Sequence, residues 1–203
     1  MSTDRYLTLS GESTAMLREK ASRFIGLAFP IANEDAFKER LQAFQKEHHS
    51  ARHWCWAYAL GHLGEVHRSN DDGEPAGTAG KPILRHLQGA GLTFSAVIVV
   101  RYFGGTLLGK RGLVQAYGEA ARAAIEQGTI VQRVVTERLF VTSSYAQFDK
   151  LRNEIAELDG SMIDSRFDPL CHTIIELPRS LVSAAVDRWT LQGLQVRTGD
   201  QMK

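Results

Sequence analysis

Runs of β-branched and aromatic residues alternate along this chain with stretches whose apolar positions recur every three or four residues, the two periods of strand and helix. Residues 23–31 read as a strand. Asn33, followed by Glu34 and Asp35, opens a helix whose inner face is Phe37, Leu41 and Phe44 and which ends near Glu47. Residues 53–59 are aromatic and apolar enough for a second strand, with a turn over 61–64 and a hairpin return over 65–68. After a loop over 70–80, Pro82 with Ile83, Leu84 and Leu87 predicts a short helix, and 95–100 predicts a buried strand. Leu113, Ala116, Tyr117, Ala120 and Ala124 then mark a helix that Gly128 stops.

From about Val134 the order of elements changes. Residues 138–142 read as a strand, and Phe148, Leu151, Ile155 and Leu158 as a helix face ended by Asp159-Gly160. Two strands, 162–167 and 171–177, flank the turn Asp168-Pro169; a helix carrying Val182, Ala185, Val186 and Trp189 and a closing strand at 194–197 follow. That succession, β-α-β-β-α-β, is the order of a ferredoxin-like domain. The expectation is an α+β chain of two domains, 1–132 and 133–203, with the boundary near Gln132 and no linker of biased composition between them.

Composition narrows the function more than the fold. Lys plus Arg number 24 against 23 for Asp plus Glu in 203 residues, so a net charge of +1 exerts no global pull on nucleic acid or membrane, and binding must come from local patches. No apolar run approaches a membrane span and the polar start Met1-Ser2-Thr3-Asp4-Arg5 lacks the layout of a signal peptide, which places the protein in the cytosol, away from membranes. Cys55 and Cys171 stand far apart and read as reduced, buried thiols.

The strongest local patch lies between the 95–100 strand and the helix after it, where Arg101, Gly104, Gly105, Gly109, Lys110, Arg111 and Gly112 crowd twelve positions. Strand, glycine loop and helix in that order point backbone N–H groups and the positive end of a helix dipole at an anion, and the three cations add full charges. Gly104 through Lys110 even matches the G-x-x-x-x-G-K of a nucleotide-binding loop. Arg111 stands where that loop needs a hydroxyl to hold magnesium, so nucleotide hydrolysis is disfavoured and phosphate binding without hydrolysis is preferred.

The loop over 70–81 is a second candidate, with Asp71, Asp72 and Glu74 as an acidic site and Gly77, Gly80 and Lys81 as a further phosphate-friendly element. It fails as an EF-hand, because Gly73 at the sixth position puts Arg68 first and Ala79 at the last ligand position. Its three carboxylates against the three cations of the glycine loop suggest that the loops meet. His53 and Cys55 share one face of their strand but form no recognised zinc or nucleophile pattern; no metal and no cofactor are expected. Trp54 and Trp56 share the opposite face with Tyr58, where burial is the simpler reading than base stacking.

Three separated motifs then resemble one family: Ala51-x-His53-x-Cys55-x-Ala57; Asp71-Asp72-Gly73-Glu74-Pro75-x-Gly77-Thr78-Ala79-Gly80-x-Pro82; and Arg101-Tyr102-Phe103-Gly104-Gly105 with Leu108-Gly109 and Gly112-Leu113-Val114-x-Ala116-Tyr117. In that order they are similar to the IMPACT/YigZ family over roughly residues 15–127, with a tail like the small C-terminal domain of its bacterial members. Lys110 and Arg111 depart from the small or apolar residues of that pattern. The resemblance implies an N-terminal domain like domain IV of elongation factor G, with a left-handed βαβ crossover, and a C-terminal domain like that factor's domain V. It also implies a link to translation.

Taken together, these readings lead to the expectation of a non-catalytic RNA- or ribosome-binding protein that modulates translation, with Arg101, Lys110, Arg111 and Lys81 on phosphate and the glycines allowing close approach. The oligomeric state is left open. The competing expectation is an enzyme on a small phosphorylated or nucleotide substrate, held between the two loops, with Asp72 or Glu74 as base or metal ligand.

Overall fold

Residues 95–101 are buried at every position, and a strand buried on both faces needs a cover on each. In the computed structural model, which describes residues 4–199, the first unit (Tyr6–Arg133) supplies both covers. Its elements are β1 (Arg5–Leu9), β2 (Ser13–Glu19), β3 (Ser22–Pro30), α1 (Glu34–Glu47), β4 (His53–Leu60), β5 (Val66–Asn70), α2 (Gly80–Gly89), β6 (Ser95–Tyr102), α3 (Gly109–Gln127) and β7 (Ile130–Val134). Five strands form an antiparallel sheet in the order β2-β3-β6-β4-β5, and β1 pairs separately with β7. Both β3 and β4 run antiparallel to β6 between them, so they are parallel to each other and α1 is the crossover connecting them.

Side chains two apart on β6 feed two cores. Val97 and Val99 pack with Ile83 and Leu87 of α2 and with Ala116, Tyr117 and Ala120 of α3. Ala96, Ile98 and Val100 pack with Phe37 and Phe44 of α1 on the other face. Each Val, Leu or Ile so buried contributes about 1.5–3 kcal/mol by leaving water. Asn33 caps α1, its side chain accepting the Ala36 N–H at 2.9 Å, with Glu34 and Asp35 in the first turn where the helix dipole favours acid. Trp56 and Tyr58 meet Phe37 with ring centroids 4.8 and 4.9 Å away, so the aromatic face of β4 is core wall.

The second unit holds Val134 onward together with Asp4 and Arg5: β8 (Thr136–Ser143), α4 (Tyr145–Glu157), β9 (Ser161–Asp168), β10 (Leu170–Pro178), α5 (Arg179–Leu191) and β11 (Gln195–Thr198). Its antiparallel sheet has the order β11-β8-β10-β9. Alternate residues Leu139, Val141, Ile175 and Leu177 face α4 and α5 around the fully buried Trp189, whose indole N–H donates to Glu154 at 2.7 Å. The chain as a whole is therefore α+β, with helices and antiparallel sheets in both units. Among the described residues no helix is long and apolar enough to cross a membrane.

Three strands lie outside the predicted elements. β2 is an edge strand in which only Ala15 and Leu17 reach the core, so it carries no apolar run to reveal it. β1 and β7 are five residues each and owe their form to pairing with one another across more than a hundred residues.

One close approach is decisive for the first core. A Cβ added at Gly26 of β3 would stand 2.6 Å from the Ala120 carbonyl oxygen and 3.0 Å from the Ala124 Cβ, so α3 rests directly on the strand backbone. Gly26→Ala should cost about 1–3 kcal/mol as α3 is forced outward. Gly89→Ala, where a Cβ meets nothing within 4 Å, should change stability by no more than about 1 kcal/mol, in the stabilising direction. Urea unfolding of the two variants measures the contrast.

Candidate nucleic-acid interface

The register Arg23↔Tyr102 and His53↔Arg101 brings the start of β3, the end of β6 and the start of β4 to one end of the five-stranded sheet. The 70–79 loop packs there because its polar groups are used inward. Asp71 accepts N–H bonds from Gly77 at 2.8 Å, Ala79 at 2.9 Å and Gly80 at 2.8 Å, so its carboxylate fills the N-terminus of α2. Burial opposes the charge of Asp71, but these three donors and Lys81 outweigh it and hold the carboxyl below its ordinary value of 3.8. Asp72 accepts the Trp54 N–H at 2.7 Å, and its own carbonyl meets His53 Nδ1 at 2.7 Å. The Cys55 thiol donates to the Asp71 carbonyl at 3.0 Å; burial pushes its pKa far up, which removes it as a nucleophile at neutral pH.

Glu74 reaches deepest. Its Oε1 accepts from Arg101 Nη1 and from the Tyr117 hydroxyl, each at 2.8 Å, with side-chain exposures of 4% for Glu74 and 8% for Arg101. The Arg101 guanidinium also lies 5.6 Å from the Phe24 ring centroid and 5.3 Å from that of Phe103. The acidic and cationic loops thus meet, as their opposite charges suggested, but through this interior pair. Arg101, expected on phosphate, is turned into the protein.

The other nominated cations lie outside. Lys110 and Arg111 are exposed in the first turn of α3, and Lys81 is exposed at the start of α2. The two helix starts differ: that of α2 is occupied by Asp71, whereas the N-cap of α3, Leu108, offers no side-chain hydrogen bond. Leading into α3, Gly104 lies so close to the Ala21 backbone that any Cβ would overlap it, and Gly105 takes φ +86°. Lys20 Nζ reaches the Leu107 carbonyl at 3.5 Å from the β2–β3 turn. Phe103 and Leu107, in the loop that leads into α3, are 53% and 81% exposed. Tyr102 is held more firmly, its hydroxyl 2.9 Å from His48 Nδ1 and its ring 4.5 Å from the Arg23 guanidinium.

Two contributors escaped the sequence reading. Lys20 arrives through the unpredicted β2, so nothing placed it near residue 107. Tyr117 reads as an ordinary helix-face residue; the one available signal was that a buried phenol needs a hydrogen-bond partner.

Comparison with known proteins adds a family to this geometry. The model of the Impact N-terminal domain matches residues 20–125. The chain is 33% identical to IMPACT family member YigZ of Escherichia coli over 182 residues, 89% of each chain, and 34% identical to IMPACT family member YvyE of Bacillus subtilis over 152 residues, 75% of this chain and 70% of that protein. A crystal structure described as a hypothetical protein superposes with a TM-score of 0.69 at 32% identity, covering 95% of this chain and 96% of the other.

Two substitutions probe this end of the sheet. Glu74→Ala leaves the buried Arg101 charge unpaired and should lower stability by about 3–5 kcal/mol in chemical unfolding. Asp71→Asn should cost about 1–2 kcal/mol at pH 7. Because the folded-state pKa of Asp71 is depressed, its contribution is complete above 3.8 and is lost as pH falls through that value toward the lowered one, so the gap between wild type and variant should close in strong acid. A gap independent of pH would contradict this role.

Proposed function

The chain belongs to the IMPACT family, and on that premise we propose that it is a cytosolic, non-catalytic protein that binds structured RNA, as on the ribosome, and modulates translation. The observation that carries the reading is the start of α3, where Lys110 and Arg111 project from a helix N-terminus that no side chain caps among the described residues, after a loop that opens on the exposed Phe103. Backbone N–H groups, dipole and two full charges there suit a phosphate, and an exposed ring suits an unpaired base. Arg101 serves this surface indirectly, by fixing the strand end from which the loop departs; Gly104 and Gly105 let that loop fold tightly against the β2–β3 turn.

The finer fold assignments support the same reading. We take the α1 connection between β3 and β4 as the left-handed crossover of a domain like elongation factor G domain IV. The second unit, with element order β-α-β-β-α-β and strand order β11-β8-β10-β9, is taken as ferredoxin-like, in the manner of that factor's domain V. The competing enzyme reading draws little from the geometry, since Asp71 spends both oxygens on backbone N–H groups, Glu74 is buried with one oxygen held by Arg101 and Tyr117, and Asp72 accepts the Trp54 N–H.

Replacing Lys110 and Arg111 together by Ala should weaken binding to a structured RNA and lower the slope of log affinity against log salt by about 1 for each charge removed. Filter binding across a salt series reads both quantities. Equal affinity and slope in the double variant would overturn the assignment.

A further inference from the structure

We propose that the open face of the second unit's sheet binds single-stranded RNA, stacking a base on Phe140 and pairing phosphate with Arg197 and Arg166. The proposal rests on the RNA-binding reading above but uses different residues on a different unit. Helices α4 and α5 cover one face of this sheet, the side of Leu139, Val141, Ile175 and Leu177. Strand alternation sends the intervening residues to the other face, where they line a hollow of about 450 Å³, within the range that holds small organic groups.

The register fixes how those residues lie. One row across the four strands reads Arg197, Phe140, Ile174, Asp164, and the row beside it carries Thr142, His172 and Arg166. An apolar centre of Phe140 and Ile174 is thus flanked by an arginine on each edge strand. Phe140 is half-buried, while His172, Arg166 and Arg197 are exposed. The His172 ring is held by a 3.1 Å contact between Nδ1 and the Thr142 hydroxyl.

Charge selects the occupant. The lining has two guanidinium groups against one carboxylate, Asp164, which Arg166 approaches only loosely, with Nε 3.6 Å away. The Arg197 side chain has no ion pair or hydrogen bond among the described residues. An acidic peptide would answer the charge and leave the Phe140 ring unused. A single-stranded nucleic acid answers both, because every base has a face to stack and every step has a phosphate. An open four-stranded sheet bearing aromatic residues and cations is a recurrent platform for unpaired RNA.

The test is fluorescence anisotropy of the full chain with labelled decauridylate, which has bases and phosphates but no stable secondary structure. Phe140→Leu, which keeps bulk but removes the ring, should weaken binding about 5- to 50-fold. Arg197→Ala, at an exposed position, should weaken it and reduce the salt slope by about 0.7. In the Lys110→Ala, Arg111→Ala background, which weakens binding of structured RNA, Phe140→Leu and Arg197→Ala should still lower decauridylate affinity by the same factors, and circular dichroism confirms that each variant is folded. Wild-type affinity in both Phe140→Leu and Arg197→Ala, no binding of decauridylate by the wild type, or equally tight binding of polyglutamate would each overturn the proposal. Loss of the α3 effect with retention of these two would sink the first surface alone.

Discussion

The first unit depends on one buried carboxylate. Glu74 joins residues 74, 101 and 117, which belong to a loop, a strand and a helix that the chain visits in turn, and it does so through a single oxygen. Withdrawing Glu74 and Arg101 from water is expensive, and a pair of this kind adds little net stability over a well-packed apolar substitute. What it supplies is position. Once Glu74 must face Arg101, the acidic loop has one depth at which it fits, and Asp71 and Asp72 fall against Cys55 and Trp54 of β4 and against the start of α2. The order of the whole sheet end follows from that insertion.

Much of this architecture was legible beforehand, and the reason is local. Asn33 with its acidic followers announces α1, Gly128 announces the end of α3, and the β-branched run at 95–100 announces the central strand, because each signal acts within a few residues. Of the strands that were not legible, β1 and β7 form by pairing with one another across more than a hundred residues, and β2 is an edge strand, hairpinned to β3, that carries few core residues of its own. The site divided along the same line. Lys110, Arg111 and the glycines were recognisable from their neighbours in sequence. The fate of Arg101 was not, since whether an arginine faces solvent or a buried acid depends on Glu74, twenty-seven residues away, entering the core.

Near-neutrality of the whole chain conceals how its charges are arranged. Several cations are neutralised where they stand: Arg40 by Glu12 and Glu47, Arg122 by Glu119 and Glu126, Arg138 by Glu176. Such exposed pairs contribute little to stability, but they remove competing attraction from the rest of the surface. The cations left unpaired then define the few places where a polyanion gains from touching the protein, which is how a chain with net charge +1 can still discriminate.

Asp71 gives the two helix starts different physical regimes. At α2 the anion is part of the chain, tethered a few residues from the N–H groups it satisfies, so its effective concentration is set by covalent geometry and dissolved ions cannot dilute it. At α3 any anion must come from solution and compete with its salt. Of two helix starts built from the same backbone chemistry, one is therefore indifferent to ionic strength, and an anion at the other would be governed by it.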